Sequence, residues 1–109
     1  MVNLNEMAYV IADGNYVKIT YIAGMKSELS LGLSKFYEMI VKSYDVASTC
    51  PFVKLGRSVI INQHYLYDIN ILKQRLTLSD NTHTHQIQMP KQLLKSYRDM
   101  IINAQKVQK

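Results

Sequence analysis

The sequence contains one cysteine, Cys50, and therefore no internal disulfide. It has no stretch approaching the roughly 18 consecutive apolar residues that a membrane-spanning helix needs. Nothing near the N-terminus joins basic residues to a continuous apolar segment, which argues against a secretory signal. Long tracts of Ser, Gly, Gln or like charge are also missing, and this excludes a chain that is disordered by composition. The expectation is a cytoplasmic protein that folds by itself.

What is present suits one domain spanning 1–109: 109 residues, 48% of them apolar, are enough for a hydrophobic core. The net charge of +5 is unevenly placed. Residues 1–90 carry eight basic and seven acidic side chains, whereas 91–109 carry Lys91, Lys95, Arg98, Lys106 and Lys109 against Asp99 alone. A basic excess of this kind suits a polyanionic partner, through release of counterions from phosphates, although charge alone does not name the partner.

The segments 7–12 and 15–23 are rich in β-formers and meet at Asp13-Gly14, a strong hairpin signal. In the second, Tyr16, Lys18 and Thr20 alternate with Val17, Ile19 and Tyr21, so one face is buried and the other meets solvent or a ligand. A short strand is expected around Glu28 to Leu31. From Leu33 the period changes to that of a helix over about 34–44, with Leu33, Phe36, Tyr37, Ile40, Val41 and Tyr44 as its apolar stripe and Ser34 as N-cap. Asp45 to Pro51 reads as a loop.

Strand-like text returns at Phe52-Val53 and continues through Val59-Ile60-Ile61, Tyr65 to Ile69, Arg75 to Leu78 and Thr82 to Met89, with turns at Gly56-Arg57-Ser58 and Ser79-Asp80-Asn81. Pro90 suits the first turn of a second helix over about 91–104, whose stripe is Leu93, Leu94, Tyr97, Met100 and Ile101. It is expected to fray after Ala104. The fold class is mainly β, with small antiparallel sheets and two short helices.

Few residues suggest chemistry. His83 and His85 stand two apart on an expected strand and would share a face, but no further ligands complete a metal site. Cys50 has no base specified beside it, and neither a paired-carboxylate pattern nor a phosphate-cradling loop is present, so no enzyme, metal or cofactor is expected. The eight tyrosines fit the core better than a base-stacking platform. Tyr9, Tyr21, Tyr65 and Tyr67 fall in apolar strands and Tyr37, Tyr44 and Tyr97 on helix stripes; Tyr16, at a hairpin tip, is the exception. Arg57 follows Gly56 in a tight connection, where its five-donor fork suits a guanine edge or a phosphate, and equally a structural salt bridge.

Three ordered blocks resemble the LytTR family of DNA-binding domains. They are Tyr9 to Ile19 with its Asp-Gly-Asn turn; Phe52 to Asn62 with Arg57-Ser58, followed by Tyr65-Leu66 and Ile69; and Leu76 to Asn81 with Gln88-Met89-Pro90-Lys91 after it. Ser30-Leu31 and the first helix lie between the first two in the family's order. Gly56 departs from the family's usual His, and Pro90-Lys91 from its Ser-Arg. The resemblance implies an elongated set of small β-sheets whose loops, not a recognition helix, enter successive major grooves of duplex DNA. Carried over by position, the contacts fall at Asn15, Tyr16, Arg57 and Lys91, with Lys18, Lys54 and Lys95 as secondary phosphate contacts. Tyr16, which replaces a His of some members, would touch phosphate or sugar. Lys91 keeps the charge of Arg without its bidentate fork.

The resemblance further implies transcriptional regulation in a bacterial two-component system, direct-repeat sites taking two copies, and a receiver domain or a second copy as partner. From the residues themselves, a protein-interaction module that augments a partner's sheet, and a single-strand RNA binder, stay open.

Overall fold

The computed structural model describes residues 3–46 and 49–107. Ala47 and Ser48, within the expected 45–51 loop, lie outside the described residues. Eight strands and two helices follow in the order β1 (Met7–Asp13), β2 (Tyr16–Tyr21), β3 (Lys26–Leu29), α1 (Leu33–Lys42), β4 (Phe52–Leu55), β5 (Val59–Asn62), β6 (Leu66–Asn70), β7 (Arg75–Ser79), β8 (Thr84–Gln88) and α2 (Lys91–Val107). All strand pairing is antiparallel, in a five-stranded sheet ordered β3-β2-β1-β5-β4 and a three-stranded sheet ordered β6-β7-β8. The mainly β reading with two helices is therefore what the chain adopts.

The alternation of strand side chains gives the five-stranded sheet two buried faces. On one, Met7, Val10, Val17, Ile19, Phe52 and Ile60 receive Leu33, Phe36 and Ile40 of α1. On the other, Ala8, Ile22, Leu55 and Ile61 pack against Leu76, Leu78, Ile87 and Met89 of the second sheet and Leu94 and Tyr97 of α2. Each such aliphatic or aromatic burial is worth roughly 1.5–3 kcal/mol. The five-stranded sheet is thus the middle layer of a body measuring 38 × 33 × 28 Å.

Several boundaries differ from expectation for local reasons. α1 opens at Leu33 after Gly32, which supplies no side-chain cap, while Ser34 lies inside the helix. It ends at Lys42, where the Ser43 and Tyr44 N–H groups tighten onto Ile40 O (3.0 Å) and Val41 O (3.1 Å), leaving Tyr44 beyond the helix. Pro90 stands just before α2, its carbonyl accepting the Leu94 N–H at 3.2 Å, and the helix backbone runs past Ala104 to Val107. β3 begins earlier, where Lys26 pairs with Thr20. Thr20 is buried because its face is covered by the second sheet, and Tyr67 is 74% exposed because the register of β6 slips between Leu66 and Asp68. His83 precedes β8, in the turn rather than on the strand.

Two polar anchors fix this arrangement. Asn62, 2% exposed, donates Nδ2–H to Met7 O at 2.9 Å and accepts the His64 N–H at 3.0 Å, closing the start of β1 onto the end of β5. The Asp80 carboxylate caps the β7–β8 turn by accepting the backbone N–H of His83 (2.6 Å) and of Thr82 (3.0 Å), and these bonds, with the His83 ring beside them, hold its pKa down at about 2.

Asn62→Ala leaves both backbone groups without their partner and is expected to cost about 1–3 kcal/mol, read from urea denaturation at constant m-value. Because the Asp80 pKa is depressed from 3.8 in the folded chain, its contribution is present above pH 4 and lost as pH falls through about 2. Urea midpoints over that window should fall less steeply in Asp80→Asn than in the wild type; identical slopes would deny the cap its role.

Candidate nucleic-acid interface

The β1–β2 connection is a two-residue turn, Gly14-Asn15, closed by the Asp13↔Tyr16 pair. Gly14 has φ 61°, which a side chain at that position resists, and Asn15 and Tyr16 are left exposed at the tip. The β4–β5 connection is Gly56-Arg57-Ser58, closed by Leu55↔Val59. Gly56 has φ 64°, and Arg57 beside it is exposed, with no ion pair or side-chain hydrogen bond among the described residues.

Strand register brings these tips together. β1 pairs with β5 through Tyr9↔Ile61, Val10↔Ile60 and Ile11↔Val59, and the Ala12 N–H donates to Ser58 O at 2.8 Å. Because the pairing is antiparallel, the outgoing end of β1 and the incoming end of β5 coincide, so Asn15-Tyr16 and Arg57 project from the same end of the sheet. The start of α2 joins them. A Cβ on Gly56 would lie 3.1 Å from Leu93 Cδ1, so Leu93, in the first turn of α2, is packed on the β4–β5 tip, and the same helical turn carries Lys91. Lys95, one turn on and also exposed, shares the face of Lys91.

The secondary candidates are placed less freely. Lys18 is ion-paired with Asp13 at 3.1 Å, and its ammonium pKa is raised by that hydrogen bond and charge, with Glu28 adding to the effect. Lys54 donates to Ser34 Oγ at 2.7 Å. That bond brings the start of α1 to the same end, which a sequence reading with Ser34 as N-cap did not signal. At the opposite end lie Glu6 and the Asp80 turn; Tyr65 Oη, which feels both acids, donates to Asn5 O at 2.7 Å there.

The two histidines, His83 and His85, are separately engaged. His83 Nδ1 faces Asp80 Oδ2 at 3.3 Å, and His85 Nε2 faces Ile22 O at 2.9 Å. Among the described residues, no group of three or more His, Cys, Asp and Glu is placed to hold a metal ion, and no helix is long and apolar enough to cross a membrane.

No family model matches the sequence, and no curated protein matches it. Among solved structures, a LytTr DNA-binding domain of a response regulator from Bacillus cereus superposes with TM-score 0.62 at 16% identity, covering 92% of this chain and 84% of that one. The chain has the LytTR fold. With little sequence shared, what the likeness shows is the architecture: two antiparallel sheets and two helices.

Asp13 neutralises the nearest cation to the first tip. Asp13→Asn is therefore expected to free Lys18, and if this end meets duplex DNA the log–log salt slope of affinity steepens by up to about 0.9. Titration by fluorescence anisotropy at several salt concentrations checks this, and a slope equal to wild type would mean that freeing Lys18 from Asp13 adds no phosphate contact.

Proposed function

We propose that this chain is a transcriptional-regulator module that binds duplex DNA sequence-specifically by inserting β-connection tips into successive major grooves. The observation that supports it most is the gathering of Asn15-Tyr16, Arg57 and Lys91 at one end of the molecule, by strand register and by the Gly56–Leu93 contact, from three segments distant in sequence. A fold shared with a LytTr DNA-binding domain supports it independently.

The physical division of labour follows from side-chain chemistry. Arg57 is exposed and unpaired among the described residues, so its fork is available for guanine O6 and N7 or for a phosphate, and it is the base-reading group. Lys91 and Lys95 are point charges that neutralise backbone phosphates and release counterions. Tyr16, 51% exposed beside Asn15, offers a hydroxyl to phosphate or sugar. Lys54 and Lys18 are secondary, the latter only when phosphate displaces Asp13. Two copies on direct repeats would extend the site, and control would come from a receiver domain or from the second copy, in the cytoplasm. A role in a bacterial two-component system belongs to the same reading.

The alternative, sheet augmentation by a partner protein, is disfavoured at the edge strand β6 by its register slip, while the edges β3, β4 and β8 keep regular ladders. With a duplex selected from a random pool, Arg57→Ala should lose about 1–3 kcal/mol of specific binding and flatten the preference at one base pair. A gel-shift titration in which Arg57→Ala holds its preferred site as tightly as wild type would remove Arg57 from the interface.

A further inference from the structure

One connection at this end belongs to none of the three expected tips. β6 and β7 are joined by Ile71-Leu72-Lys73-Gln74, a segment without Gly or Pro. It is nevertheless fixed. The Lys73 N–H donates to Asn70 Oδ1 at 3.0 Å, the Gln74 N–H to Ile71 O at 3.1 Å, and Gln74 takes a left-handed φ of 55°.

The turn is tied to the proposed DNA end by the backbone. Met89 N–H donates to Gln74 O at 3.0 Å, and Met89 is followed by Pro90 and Lys91. The contacts thus form a continuous chain: Tyr16 on β2, the Ala12–Ser58 bond to the Arg57 tip, the Gly56–Leu93 contact to the start of α2, and the Met89–Gln74 bond to this turn. At its far end Lys73 is exposed and in no ion pair among the described residues. Leu72 beside it is 86% exposed. A single exposed Leu means little alone. Beside a free cation on a fixed turn, it lies where a groove wall would cover it.

We infer that the Ile71–Gln74 turn is a fourth contact element on duplex DNA, with Lys73 on a backbone phosphate beyond the one met by Lys91. The inference rests on the DNA-binding reading above. An ammonium on a flexible stem has no fork to read a base edge, so this contact adds affinity and sets register without adding sequence preference.

The test is anisotropy titration of the full chain and its variants against a selected duplex and a scrambled duplex of equal length, between about 50 and 200 mM salt. Lys73→Ala should weaken both duplexes by the same several-fold factor and lower the salt slope by about 0.9, since one phosphate contact is lost. Lys73→Arg should restore both. Lys42→Ala, at the far end of α1, should leave the slope nearly unchanged and so separates a contact from a change in total charge. If Lys73→Ala keeps wild-type affinity and slope while Arg57→Ala still loses preference, the turn is no contact and the DNA reading survives. Failure of the wild type to bind either duplex overturns both.

Discussion

Ile11 lies opposite Val59, Val10 opposite Ile60 and Tyr9 opposite Ile61, and the position of every proposed contact depends on that short ladder. Each hairpin builds itself locally: the Gly14-Asn15 turn forces β2 back on β1, and Gly56 does the same for β4 and β5. Only the β1–β5 register decides whether the two tips point the same way. A slip of one residue would exchange the two faces of the strand, putting Val10 and Ile60, both fully buried against α1, on the side of the second sheet. Two filled cores therefore hold the register, and the register holds the tips.

The second constraint is the close approach of α2. Leu93 packs where a side chain on Gly56 would be, so the glycine serves the turn's left-handed conformation and the helix contact together. Tyr97, 1% exposed, continues the same packing and donates its hydroxyl to Gln63 Oε1 at 2.9 Å; burial pushes its phenol pKa up to about 12. Helix, hairpin and the chain after β5 are thereby one rigid unit, and the start of α2 has little freedom to swing away from the Arg57 tip. Under the DNA-binding proposal such positioning matters, because a few polar side chains would have to meet phosphates and base edges at fixed spacing.

Much of this was legible in the sequence where a residue type has one strong local consequence. Asp13-Gly14-Asn15 announced its hairpin, Gly56 its tight turn, and the stripes Leu33-Phe36-Ile40 and Leu93-Leu94-Tyr97 their helices. The segments on which Asn15, Tyr16, Arg57 and Lys91 sit were found the same way; the residues themselves singled out Arg57 and the Tyr16 tip, and the family resemblance supplied the DNA roles of Asn15, Tyr16 and Lys91. Less legible were features set by partners distant in the chain. Tyr67 reads as a packing residue in an apolar strand, yet the register slip on β6 turns it to solvent. Thr20 reads as exposed, yet the second sheet covers it. The turn at Gln74 contains no turn-forming Gly or Pro, and Ser34 gives no sign that Lys54 reaches it across the tertiary structure.

The proposed contact with duplex DNA is confined to one end of the molecule, the first turns of α2 included, and leaves its opposite end free. Amide chemical-shift mapping of the labelled protein during titration with a selected duplex tests it most directly. The account predicts large perturbations at Asp13 to Tyr16, Gly56 to Ser58 and Lys91 to Lys95, with little change at Asn3 to Glu6 and Asp80 to His83. Perturbations concentrated at those last two segments, or spread evenly over both ends, would contradict it.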